Sequence, residues 1–404
     1  MSRVTVSVAV AFGYGPNDSP PASAWVDLSD RVRSDVAGGP ILELDRGGED
    51  EASQPGASVA AVWLDNVDGQ LDPAASTASW ADDLRPMTPA SIDVDVDGEL
   101  RRVFSGVVES WPAQAIAGEH DAYVPATFVD ATKRLGRSPI TVDRPAERTD
   151  TRVDALLDAA GWPGDIEDRD LDVGVVRLEA TEYVDEDALD ALRDTADAEG
   201  GKLWFGPLGQ AILRNRHARL AVDDGDDDPA LRLGVGGLPV EVLRANLDDD
   251  GVVNDARVEL EDGRRLGAVD DDSIARYGRV AAPTFDLPVA DAEAEGLALW
   301  AVARWAEPVV RVDPVDVPAR AAGVLGDLLD LELGDLVEVA RPAGDGVDEL
   351  LCHVEGIRHA AAAGSWTTTL SLTPYYGDGP WLRLVDESDE PAGAPPLDTG
   401  VAAP

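Results

Sequence analysis

The side chains here that could do chemistry are mostly carboxylates, and two groups of them have suggestive spacing. Asp93, Asp95, Asp97 and Gly98 spell the first half of a calcium loop, D-x-D-x-D-G. The bidentate glutamate such a loop needs six residues after its glycine is replaced by Phe104, and Val94 and Val96 fit an alternating strand too well to leave it. Calcium is therefore not expected there. In the second group, Asp65, Asp68 and Asp72 gather on a glycine-containing loop, which makes them the weak candidate for a cation. A self-capping turn explains the same residues. Asp65, Asn66 and Asp68 can accept from backbone N–H groups two residues on, Gly69 can take a positive φ, and Pro73 fixes the exit after Asp72.

Other reactive groups are sparse. The four histidines, His120, His217, His353 and His359, show neither H-E-x-x-H nor a ligand spacing with cysteine, so structural histidines are expected. Cys352, the single cysteine, lies among Leu350, Leu351 and Val354 and reads as a small buried hydrophobe, which leaves no intrachain disulfide. No G-x-S-x-G or Walker loop occurs, and Gly234-Val235-Gly236-Gly237 lacks a following helix with a lysine. Glu109 before Trp111 and Glu182 before Tyr183 are the pair to consider for glycoside hydrolysis, but with 79 acidic residues a pair of carboxylates carries little information. No catalytic residue, cofactor or bound metal is expected.

These residues must be positioned by strands. Val4, Val6, Val8, Val10 and Phe12 alternate with Thr5, Ser7, Ala9 and Ala11, a strand pattern rather than a signal peptide. Short strands follow near 26–32, at Val59, Ala61 and Trp63, at Ile92, Val94 and Val96, and near 122–129, so residues 1–146 read as one barrel-like domain. Across 147–245 the period becomes helical. Asp150 could cap a helix burying Val153, Leu156, Leu157 and Ala160, and a second helix from about Asp185 buries Leu189, Leu192 and Ala196 before Gly200. A hairpin joins Leu203-Trp204-Phe205 to Ala211-Ile212-Leu213, making this segment α+β. Strands are read across 231–242, with the acidic loops 223–228 and 248–250 on either side. Residues 246–380 read as a second β-rich domain with one helix over about 290–306 and strands near 309–317, 336–339, 350–357 and 367–372; 381–404 read as a flexible tail. The fold class is α+β, mainly β. Two meanders, Pro89 to Thr127 and Gly334 to Leu372, share the order turn, strand, glycine hairpin, strand, loop, strand, as copies of one unit would.

Charge narrows the function. Seventy-nine acidic against 33 basic residues give a formal net charge of −46, and the only lysines are Lys133 and Lys202. Self-repulsion on that scale is tolerable where ~1 M salt shortens the Debye length to about 3 Å, which points to a saline environment. Gripping a nucleic acid draws on clustered Lys and Arg that this chain lacks. No apolar run reaches the ~18 residues of a membrane span.

The order Asp65-Asn66…Asp68-Gly69…Asp72-Pro73, Leu84-Arg85-Pro86, Val103-Phe104-Ser105-Gly106, Asn254-Asp255, Tyr277-Gly278, Gly334-Asp335 and Glu355-Gly356 resembles the tail-hub (baseplate hub or minor tail) proteins of long-tailed phages and related archaeal tailed viruses. The resemblance covers most of 55–376. It implies two tube-like β-barrel domains with an α+β domain between them, and a homotrimer at the distal end of a non-contractile tail tube. It also implies a hexameric distal-tail or tube protein above, receptor-binding or fibre proteins below and a tape-measure protein inside. The place would be the virion tail tip, with assembly in the host cytoplasm. A secreted carbohydrate-binding or adhesive β-protein of a halophile, or a glycoside hydrolase, would share the strands, tryptophans and charge; the first would carry a signal sequence, and the second would turn over polymeric sugars.

Overall fold

A computed structural model describes residues 4–33, 41–51, 53–74, 80, 82–115, 122–162, 168–219, 228–249, 251–260, 262–282, 285–287, 289–319, 321–344 and 346–375. His120 and the tail 381–404 fall outside the described residues, as does most of the acidic run 223–228.

The first β region comprises β1 (Val4–Val10), β2 (Val26–Asp27), β3 (Leu42–Gly47), β4 (Gly56–Asp65), β5 (Pro89–Val96), β6 (Glu99–Ser110), β7 (Gln114–Ala115) and β8 (Ala122–Val129). Alternation places Val6, Val8 and Val10 of β1 in the core with Ile92, Val94 and Val96 of β5, while Asp93 and Asp95 face outward. Asp97 and Gly98, at φ 55° and 96°, make the two-residue turn into β6, and the Asp95 carboxylate accepts from Gly98 N–H at 2.7 Å. Their positive φ values suit a tight hairpin, and the residues on either side stay in paired strands. The strands run in the order β4-β8-β6-β5-β1-β2, and the segment after β2 returns to β4 through a bridge between Val32 and Leu64. This region curls back on itself around one core.

The second β region comprises β16 (Leu231–Gly234), β22 (Val315–Pro318), β23 (Leu336–Ala343), β24 (Gly346–Ala362) and β25 (Ser365–Pro374). Its order is β22-β25-β24-β23-β16, and Glu241 N–H donates to Asp316 O of β22 at 3.1 Å. This region also curls back. In both regions the strand before the meander pairs with its last strand, β4 with β8 and β22 with β25; β1 joins its neighbour antiparallel, whereas β16 joins β23 in parallel. The two regions are not separate sheets: β24 pairs with β3 from Gly356↔Gly47 to Ala361↔Leu42, giving one sheet of 13 strands.

Between them lies the helical part: α1 (Thr132–Leu135), β9 (Pro139–Arg144), β10 (Glu147–Arg148), α2 (Thr149–Ala159), β11 (Arg169–Leu171), β12 (Arg177–Leu178), β13 (Thr181–Asp187), α3 (Ala188–Glu199), β14 (Lys202–Phe205) and β15 (Ala211–Arg214). Val153, Leu156 and Leu157 of α2 pack on Leu192 and Ala196 of α3. Asp150 does not cap α2; Arg148 occupies the N-cap position and holds the Asp150 carboxylate at 2.9 Å. Helix α3 ends at Gly200 in the left-handed region, φ 65°.

The stretch after residue 246 holds two packing groups. β17 (Ala245–Asn246) pairs with β21 (Arg311–Val312), while β18 (Asp255–Leu260), β19 (Arg265–Val269), α4 (Asp271–Tyr277), β20 (Phe285–Leu287) and α5 (Asp291–Trp305) form a small sheet carrying α5. That sheet packs with Val176, Leu178 and Ala198 of the helical part, not with the second β region. An unforeseen helix, α6 (Ala322–Leu329), buries Leu325 and Leu328 between the two β cores, and β16 covers only four of the residues read as strands across 231–242.

Candidate functional site

The Asp65–Asp72 turn closes on itself. Buried Asn66 accepts from Leu71 N–H at 2.7 Å, Asp65 from Val67 N–H at 3.3 Å and Asp72 from Ala74 N–H at 2.8 Å, while Gly69 (φ 69°) donates to Asn66 O and Pro73 follows Asp72. Asp68 is taken by Arg31, whose two nitrogens sit 2.9 and 2.6 Å from its oxygens; that guanidinium holds the carboxyl below its usual range. The three carboxylates thus serve separate partners, and among the described residues no three His, Cys, Asp or Glu side chains form a metal-holding group.

Most other motif residues serve the backbone. Arg85 O accepts from Thr88 Oγ1 at 2.9 Å just before Pro86, and Arg85 Nε donates to Asp82 O at 2.7 Å. Asn254 is fully buried: its Oδ1 accepts from Val280 N–H at 2.7 Å, and its Nδ2 donates to Gly278 O at 2.8 Å and Ser273 Oγ at 3.1 Å. It ties both ends of α4 to β18. Tyr277 Oη donates to Glu307 at 3.0 Å, and Gly278 takes φ 83° to end α4. Gly334 (φ 90°) offers its carbonyl to His353 Nδ1 at 2.9 Å, and Asp335 accepts from Glu332 N–H at 2.8 Å, its carboxyl pushed up by burial. Because a carbonyl only accepts, Nδ1 of His353 carries the hydrogen. His359 is enclosed by Thr368 and Trp366, and burial depresses its pKa to about 3. Cys352 is buried, its thiol pushed up to about 12, so it is no nucleophile. Glu109 pairs with Lys133 at 2.7 Å on the large sheet, while Glu182 is exposed on the separate β9–β13 sheet.

What the structure adds is an ionic junction where all parts of the molecule meet. At its centre β24 crosses β3 with two glycines: a Cβ on Gly356 would overlap Gly48 O, and one on Gly47 would overlap Glu355 O. Gly106 plays the same part where β6 crosses β8, since a Cβ there would overlap Val129 O. Beside this crossing, the buried Glu355 carboxylate takes both arms of Arg219 and accepts from Thr373 Oγ1. Burial pushes its carboxyl up, but the Arg219 guanidinium prevails and leaves it below its usual range. The turn after β3 extends the junction outward. Glu51 binds Arg304 of α5 at 2.7 Å, and Gln54 donates to Asp197 at 2.7 Å and to Gly201 O at 2.9 Å while accepting from Leu203 N–H. Lys202, from β14, donates to Ser53 O. Arg46 of β3 joins Glu332, just ahead of β23. Such groups leave water only because each finds a partner. Glu355 alone gave a signal in the sequence, a carboxylate between Val354 and Gly356 inside an apolar strand; Arg219, Lys202 and Glu51 gave none.

This arrangement can hold parts together; it presents no nucleophile beside a base. No protein-family profile and no curated protein matches the sequence. Solved structures do. The 43 kDa tail protein of prophage MuSo2 from Shewanella oneidensis matches with TM-score 0.53 and 14% identity over 92% of this chain and 97% of that one. A tail protein from Neisseria meningitidis MC58 matches with TM-score 0.54 and 14% identity over 91% of this chain and 96% of that one. Over more than nine-tenths of its length, this chain has the fold of these two tail proteins.

Proposed function

We propose that this chain is a structural tail protein acting as the tail hub at the distal end of a non-contractile viral tail tube. The observation that carries the reading is the fold likeness to the two tail proteins along nearly the whole of both chains. The two curled β regions are read as the two barrels of a hub, the first within residues 1–146 and the second assembled from β16 and β22 to β25, with the helical part and the sheet carrying α5 beside them. Three chains would then set six barrels in a ring, matching a hexameric distal-tail or tube protein above, with fibre or receptor-binding proteins below and a tape-measure protein inside. The fused β3–β24 pairing supports this, because it fixes the two barrels of one chain at a constant angle. A charge of −46 would keep the bore from gripping the genome passing through it.

Native mass spectrometry in volatile salt, together with an image of the tail containing this chain, tests the proposal. A trimer is expected, with subunit interfaces upward of ~2,000 Å² and a ring at the tail tip. A stable monomer or dimer, or a place elsewhere in the particle, would remove it.

A further inference from the structure

A cavity of about 210 Å³ lies where α5 and β18 meet the turn at Gly200–Lys202. Its walls are mainly apolar, with Val253, Val258, Leu297, Trp300 and Trp305 among them, and the cations that line it are Lys202 and Arg257. Engineered apolar cavities of about 150 Å³ take up benzene, so this one has room for a substituted ring. Pockets at domain junctions with a few fixed polar groups are the usual form of a small-molecule site. Trp300, on the lining, supplies one such polar group: its indole Nε1–H is buried and has no hydrogen-bond partner among the described residues. Trp300 is fixed edge-on against Trp305, with ring centroids 5.1 Å apart. A buried donor without an acceptor is destabilising, and an acceptor brought in by a ligand relieves this.

Charges at the mouth narrow the ligand further. Glu51 is engaged by Arg304, Asp197 accepts from Gln54, and Lys202 donates to Ser53 O. Arg257, also on the lining, is held by Asp255, so each of these charged groups already has a partner, and an anionic ligand would leave water without a free cation to meet it. We propose that this cavity binds one neutral aromatic molecule bearing a hydrogen-bond acceptor, the ring against Trp305 and the acceptor on Trp300 Nε1–H.

The test uses the full chain, labelled with 5-fluorotryptophan, in molar KCl, with ¹⁹F resonances assigned by Trp→Phe substitutions. Acetophenone, ethylbenzene and benzoate are titrated in turn. Acetophenone is expected to shift the Trp300 and Trp305 signals saturably, ethylbenzene to bind about fivefold more weakly for want of an acceptor, and benzoate not to bind. In Trp300→Phe, the acetophenone preference should vanish while both neutral ligands still move Trp305. Ala301→Leu should abolish binding by filling the space; if that variant does not fold, the Trp300→Phe comparison decides alone. Absence of saturable shifts, equal binding of acetophenone and ethylbenzene to the unsubstituted chain, or shifts confined to other tryptophans would overturn the proposal.

Discussion

At the scale of single residues the junction is held by charges that have given up water for one another. Glu355 is 5% exposed, and its two strong partners are Arg219 and Thr373. Removing one member of such a pair leaves the other buried and uncompensated, which costs about 3–5 kcal/mol. Arg219→Met should therefore lower stability by that amount in denaturant unfolding, and adding Glu355→Gln should recover part of it. A single variant within 1 kcal/mol of the parent would show that water reaches the site. Acid works on two of these residues in the same direction. The depressed Glu355 carboxyl contributes stability above the ordinary glutamate range that is lost as pH falls through its folded pKa. His359, buried neutral with a pKa near 3 against an ordinary 6.5, contributes stability that is full above about 6.5 and drains away as pH falls toward 3. Asp130, Asp197 and Asp335, raised by burial, act in the opposite sense and favour the folded state at lower pH. His359→Gln should flatten the stability loss between pH 6.5 and 3, followed by circular dichroism in molar salt; an unchanged acid limb would assign that loss to the carboxylates.

At the scale of elements the decisive feature is the crossing of β24 over β3. The register shift between Val354 and Gly356 lets one long strand serve β23 at its start and β25 and β3 at its end. Gly356→Ala pushes a methyl group into a backbone carbonyl that cannot swing aside, so a loss of about 1–3 kcal/mol is expected. Gly98→Ala is the comparison: nothing lies within 4 Å of its Cβ, and only the φ of 96° opposes it. Hydrogen exchange should show faster opening of amides 42–47 and 356–361 in the first variant and not in the second. Equal exchange in both would mean that the crossing has room for a side chain.

For the whole molecule, charge sets the working conditions. With −46 spread over 404 residues, folding should be cooperative in molar KCl and should fail as salt is withdrawn, because screening falls while the charges stay. A melting curve indifferent to salt would contradict the saline reading. The same charge predicts no measurable duplex binding at the lowest salt in which the chain stays folded, measured by fluorescence anisotropy; binding there would require a basic track that the composition does not suggest.

What the sequence determined by itself was local. The alternation in β1 and β5, the Asp97–Gly98 turn, α5 and the hairpin of β14 and β15 follow from side-chain period and turn chemistry within a few residues, and so could be read directly. The ordered fragments from Asp65 to Gly356 also carried the resemblance to tail proteins, whose fold the chain has. Pairing across long separations was decided only in three dimensions. Arg219 meets Glu355 across 136 positions, Arg304 meets Glu51 across 253 and Arg46 meets Glu332 across 286. With 79 acids for 33 bases, no pattern along the chain marks which carboxylate a given arginine will choose. The partner that Asp68 takes in the Asp65–Asp72 turn is likewise invisible along the chain, since Arg31 lies 37 positions away. The joining of two β regions into one sheet depended likewise on β3 finding β24, a contact set by backbone hydrogen bonds and by room between glycines, neither of which a side-chain pattern records.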